Sequence, residues 1–207
     1  MVKKISFILF SFLLSTAVWA AVGCDLNDPD RDVQRFFPDS TGYKTDYVSI
    51  QKSGGAKLQQ SVELRLGDKF KGLYETADVP YTVYTILKGK TVLGYIHGVN
   101  QKGKYGGIQV FLILTPNGRV IELYYQKMTA PYAGKFRERA FGQQFKGLTL
   151  KDMQGYNAAT GKIAPNSSLQ NIKNPAPEAV DDFKATLRGV KKNLILMDVF
   201  KFSRVAK

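Results

Sequence analysis

Tyr81–Pro131 reads YTVYTILKGKTVLGYIHGVNQKGKYGGIQVFLILTPNGRVIELYYQKMTAP, and its alternation of apolar runs with turn residues decides the fold. Tyr81–Leu87 is rich in β-branched and aromatic residues, which pack well on a pleated surface. Lys88-Gly89-Lys90 turns this strand back into Thr91–Val99. Ile108–Thr115 then pairs with Arg119–Met128 through Pro116-Asn117-Gly118, a strong hairpin signal between two β-rich runs. Val110–Leu114 is apolar at every position, which predicts a strand covered on both faces in the middle of the sheet. The framework is an antiparallel twisted sheet of at least four strands.

Helical periodicity flanks this core on both sides. Tyr47–Ile50 reads as a short strand and Ser53-Gly54-Gly55 as a turn. Leu58, Val62 and Leu66 then recur every four residues, and Gly67 follows as a stop. Beyond Pro131, Lys135–Phe145 mixes charges with Phe136, Phe141 and Phe145, and Gly155–Pro177 is polar and loop-like. Glu178–Phe200 is the last strong element. Its Val180, Phe183, Leu187, Val190, Leu194 and Met197 alternate three and four apart, after Pro177 and the acidic Glu178, Asp181 and Asp182. An amphipathic helix is predicted, with its apolar face on the sheet and Lys184, Arg188, Lys191 and Lys192 on the other side. The class is α+β, with flanking helices and a long C-terminal one, in a single domain over residues 39–207.

The N-terminus carries a different signal. Lys3 and Lys4 precede an uncharged apolar run, Ile5–Val22, that ends in small residues, the pattern of a secretory leader over residues 1–23. Ala21-Val22-Gly23-Cys24 resembles the bacterial lipoprotein box, which implies a mature chain starting at a lipidated Cys24. Cys24 is the single cysteine, so no internal disulfide can form. Lipid would hold the domain on the periplasmic side of a bacterial membrane through a tether over residues 24–38. Asp25 resembles the signal that retains lipoproteins at the inner membrane. Within the tether, Arg31–Phe37 reads as a short helix stopped by Pro38. Asp28, Asp30 and Asp32 alternate as in a calcium loop, but Val33 stands where such loops need glycine.

The 207 residues carry 30 Lys and Arg against 17 Asp and Glu, a net charge of +13, and loss of the leader's two lysines leaves +11. Such a surface favours anionic partners: lipid headgroups, acidic redox proteins or phosphate-bearing cofactors. Export argues against nucleic acid. The single histidine, His97, cannot build a His-rich metal site or complete a triad without a Gly-x-Ser-x-Gly elbow, and reads as structural. Walker, Gly-x-Gly-x-x-Gly and Cys-x-x-Cys-His motifs are all missing from the sequence.

What remains is the glycine loop Gly103-Lys104-Tyr105-Gly106-Gly107, whose bare backbone could approach a ligand. Tyr-Gly-Gly-Ile entering an apolar strand, Asn-Gly-Arg-Val-Ile, Thr129-x-Pro131, and Phe141-Gly-Gln-Gln-Phe145-Lys-Gly147 follow in an order that resembles the FMN-binding domain family. That family includes the flavin-carrying subunits of the Rnf complex and of the sodium-translocating NADH:quinone reductase. Members with covalent FMN carry Ser/Thr-Gly-Ala-Thr before the terminal helix and esterify the last threonine to the FMN phosphate. The matching residues here are Phe183-Lys184-Ala185-Thr186, with Phe in place of the hydroxyl residue and Lys in place of glycine. The resemblance therefore implies FMN held without a covalent bond. Tyr105, Gly106, Gly107, Thr129 and Thr186 would line the flavin, and Lys184 and Arg188, one helical turn apart, would hold its phosphate. It implies an electron carrier meeting acidic redox partners rather than a stand-alone enzyme. The alternative is a binding or assembly module that keeps the fold without flavin.

Overall fold

The computed structural model describes residues 23–72 and 74–203; the expected leader over residues 1–23 lies outside them except for Gly23. Five antiparallel strands form one sheet in sequence order: β1 (Gly42–Val48), β2 (Tyr81–Lys88), β3 (Thr91–Lys102), β4 (Gly107–Leu114) and β5 (Val120–Met128). Ile113 opposes Ile96 on β3 and Glu122 on β5. The apolar run at Val110–Leu114 is thus paired on both edges and buried throughout, one position in from the sheet's rim. β3 rather than β4 is central. Gly118 has φ +79°, in the left-handed region that the tight β4–β5 turn requires.

Helices cover both faces. α1 (Pro29–Phe36) precedes β1; α2 (Ile50–Ser53) and α3 (Gly55–Leu66) lie between β1 and β2. Gly67 ends α3 with φ +73°, returning its N–H to the carbonyls of Glu63 and Leu64. After β5 come two short helices, α4 (Ala133–Arg137) and α5 (Arg139–Gln143), a two-residue hairpin β6 (Tyr156–Asn157) and β7 (Lys162–Ile163), and α6 (Val180–Met197). α6 lies across β3 and β4, and its Leu187, Val190, Leu194 and Met197 join the main core with Val99, Val110, Leu112 and Phe136. Asp198–Phe202 extends it by a wider π-type turn.

The opposite face has its own core, made by Cys24, Leu26, Val33 and Phe37 against Tyr84, Ile86, Ile96, Phe111 and Ile113. The expected tether over residues 24–38 is therefore a layer of the domain. Its few apolar side chains fall on one side and find the sheet's second face, which would otherwise meet water. Glycines on β3 make room for it. A Cβ at Gly98 would stand 2.5 Å from the Phe111 ring and 2.7 Å from Cys24 Sγ. Asp28 caps α1 through the Arg31 N–H, Asp30 accepts the Tyr43 hydroxyl (2.8 Å), and Asp32 is buried beside Arg31 and Arg35. Three carboxylates that alternate like calcium ligands thus have three separate structural roles.

Candidate functional site

Residues 23–27 enter the sheet beside the start of β2. Cys24 bridges Tyr81 in parallel, Asn100 Nδ2 donates to the Gly23 carbonyl (3.0 Å), and Thr82 donates to Asp25. Leu26 N–H donates to Tyr84 Oη (3.1 Å), Gln126 donates to the Asp25 carbonyl (2.7 Å), and Asn27 N–H donates back to Gln126 (2.7 Å). Cys24 is 0% exposed, and burial pushes its thiol well above the ordinary range. The sulfur faces Gly98 on the second face of the sheet. Acylation at Cys24 would require the whole stitched segment to leave the sheet.

On the other face, the first turn of α6 meets the glycine loop. Asp182, buried, accepts the Lys104 backbone N–H on Oδ1 (2.6 Å) and the Tyr132 hydroxyl on Oδ2 (2.5 Å). Closing the β3–β4 turn, Gly103 N–H donates to the Gly106 carbonyl (2.8 Å). A Cβ on Gly103 would lie 2.6 Å from Asp182 Oδ1, so the close approach requires glycine there. Tyr105 projects from the loop, 47% exposed, with its ring edge-on to Tyr132 (5.9 Å) and Lys104 Nζ above it (5.6 Å). Beside it opens a cleft of about 300 Å³ lined by Lys104, Tyr105, Pro131, Tyr132, Lys135 and Glu178.

One turn further along α6, Thr186 is 0% exposed. Its Oγ1 donates to the Asp182 carbonyl (2.9 Å) and lies 2.7 Å from Tyr125 Oη, which therefore donates to it. The hydroxyl that the family resemblance assigns to flavin attachment is sealed between helix and sheet.

Beyond Lys184, the cationic side of α6 is turned into the protein rather than into solvent. Arg188 Nε donates to Asp68 (2.9 Å), Nη1 to Glu75 (2.6 Å) and Gln101 (2.8 Å), and Nη2 to Glu75 (3.0 Å) and the Lys69 carbonyl (3.0 Å). A guanidinium has five N–H donors, and these contacts use all of them. Lys192, 0% exposed, donates to Glu75 (2.7 Å) and the Asn100 carbonyl (2.8 Å), and Lys191 donates to the Tyr156 carbonyl (2.7 Å). Burial pushes the Glu75 carboxyl up, but Lys192 and Arg188 outweigh it and bring it down to about 2. Burial also lowers the Lys192 ammonium to about 8, with Glu75 acting against it. The loop carrying Asp68 and Glu75 folds over this side and supplies compensating charge.

No family model matches the chain, and no curated protein does.

Of the residues predicted to hold flavin, Tyr105, Gly106 and Gly107 share the β3–β4 turn, where Gly107 abuts the Tyr74 hydroxyl; Thr129 is exposed just past β5. Lys184 and Arg188 are one turn apart on α6 yet diverge. Lys184 is exposed and lays its stem over Gly161, whereas Arg188 enters the carboxylate network. They do not form the predicted phosphate clamp, because Arg188 has no donor left to offer. Sequence reasoning missed Glu75, Asp68, Gln101, Asp182 and Tyr132. Glu75 and Asp68 sit in a polar loop with no periodicity, and Asp182 reads as an ordinary acid at a helix start. Among the described residues, no group of three or more His, Cys, Asp and Glu side chains could hold a metal ion, and no helix is long and apolar enough to cross a membrane.

Proposed function

We propose that this chain is an exported binding module built on an FMN-binding-type scaffold and working without a flavin. The observation that carries this reading is the saturation of Arg188 by Asp68, Glu75, Gln101 and Lys69, together with the enclosure of the Thr186 hydroxyl. A phosphate has no donor to gain at Arg188, and bringing one beside Glu75 and Asp68 would place like charges together. The net charge of +11 that remains without the leader's two lysines suits acidic partners, which such a surface draws in by long-range attraction. Export rests on the N-terminal leader pattern, and the burial of Cys24 supports a reading in which its sulfur carries no lipid.

A second reading, a carrier of non-covalent FMN that exchanges electrons with acidic redox proteins, is favoured by the cleft beside the glycine loop. There Tyr105 and Tyr132 offer aromatic faces and Lys104 and Lys135 offer positive charge. Titrating FMN with the native chain separates the two by its fluorescence. The first reading expects unchanged emission at micromolar protein. Saturable one-to-one quenching that is lost in Tyr105→Ala with Lys135→Ala would establish the second. The chemistry would then belong to the isoalloxazine, with the protein supplying placement and docking.

A further inference from the structure

β1 is an edge strand, hydrogen-bonded to β2 alone among the described residues. An open edge of seven residues is a template for another strand unless something blocks it. β1 has neither proline nor bulge, and it is largely exposed along its length. Its sequence, Gly42-Tyr-Lys-Thr-Asp-Tyr-Val48, places Lys44 and Asp46 on the face that carries α6, where Asp46 meets Lys201 (2.5 Å). Tyr43, Thr45 and Tyr47 point to the other face, where Tyr43 bonds Asp30 and packs edge-on to Tyr84.

From this pattern we infer that β1 is a dimerisation edge whose partner is β1 of a second copy, antiparallel and centred on Thr45. In that register Lys44 lies opposite Asp46 of the other copy, Tyr43 opposite its Tyr47, and Gly42 opposite its Val48. A two-fold axis normal to the sheet makes every pair occur twice and keeps both α6 layers on one side. The result is one continuous sheet of ten strands. Charge selects the register. Sliding by two residues centres the pairing on Lys44 or Asp46 and sets like charges against each other; sliding by one turns every side chain to the wrong face. Tyr47 is the side chain with most to gain, since it stands 69% exposed and would cover the Tyr43 ring across the new interface. Asp46 is free to pair a second time: its side chain is 49% exposed, and Lys201 occupies Oδ2 only.

Alternating opposite charges on an edge can also serve to repel neighbours, but this pair is complementary to itself when the strand is reversed, so it does not protect against its own copy.

The test is sedimentation equilibrium of the wild type, Lys44→Asp, Asp46→Lys, and the double exchange Lys44→Asp with Asp46→Lys, each checked for native circular dichroism. The wild type is expected to dimerise. Each single variant sets like charges opposite one another and should weaken dimerisation by at least about tenfold. The double exchange should restore it, and a mixture of the two single variants should form heterodimers. A monomeric wild type overturns the inference, as does a dimer whose affinity the Lys44→Asp change leaves untouched.

Discussion

Glu75→Ala is expected to destabilise the domain by about 3–5 kcal/mol, the range found when one member of a buried ion pair is removed and its partner stays behind. Glu75 is 5% exposed and accepts from Lys192, Arg188 and Gln101 together. Without it the buried Lys192 keeps the Asn100 carbonyl but loses its ion-pair partner, and Arg188 keeps Asp68 as its remaining carboxylate. For a chain of this length the loss corresponds to a fall of roughly 6–20 °C in melting temperature. Replacing the pair as a unit, Glu75→Gln with Lys192→Met, should cost less than Glu75→Ala, because no orphan charge remains. Urea unfolding of the three proteins measures this; a loss below about 1 kcal/mol for Glu75→Ala would mean that water reaches Lys192. The same carboxylate ties stability to acid. Its pKa falls from an ordinary 4.5 to about 2 on folding, so its contribution is complete above pH 4.5 and disappears as the pH falls toward 2.

His97 produces the second large effect, at a pH where carboxylates are silent. The ring is fully buried, with Nδ1 2.9 Å from Asn193 Oδ1, while Asn193 Nδ2 donates to the His97 carbonyl (2.8 Å). With Nδ1–H donating to that oxygen, Nε2 is the bare nitrogen, packed beside Tyr81 and Phe200. Burial lowers the imidazole from 6.5 to about 4, because the charged ring would lose its water; the Asn193 hydrogen bond acts against this and the nearby Lys192 charge adds to it. The unfolded chain therefore takes up a proton at a higher pH than the folded one. Stability due to His97 is complete above pH 6.5 and is lost as the pH falls through 4, in total roughly 3 kcal/mol. His97 is the single histidine, so a slope in unfolding free energy between pH 6.5 and 5 belongs to it alone. His97→Gln should flatten that slope whatever its effect on stability at neutral pH. A slope that survives in the variant would assign it to another group.

The parts of the fold written in local pattern are legible in the sequence. The Lys88-Gly89 and Pro116-Asn117-Gly118 turns, the period-four stripe of Leu58, Val62 and Leu66, and the apolar face of the terminal helix all sit where neighbours a few residues apart specify them. β1 is harder to see, because a strand exposed on both faces has no apolar alternation to show. The N-terminal layer is hidden in another way: Asp25–Asp32 has the composition of a linker, and the Cys24 and Phe37 that flank it find room on the sheet because β3 places Gly98 and Gly94 opposite them. The cationic face of α6 was the largest misreading. Lys192 resembles any solvated lysine until Glu75, 117 residues away in sequence, closes over it. No local signal carries a partner at that distance, and the site reading that placed phosphate on Arg188 fails for the same reason.

Cys24 is the residue at which the sequence suggests a lipid, and Thr186 matches the position that carries flavin in covalent members of the family it resembles; both side chains are fully buried in the domain. The most direct test is the mass of peptides from the full chain isolated from its native cell envelope. The peptide with Cys24 should carry a free thiol and the peptide with Thr186 an unmodified hydroxyl. A diacylglyceryl group on the first, or a flavin phosphate ester on the second, would contradict the account.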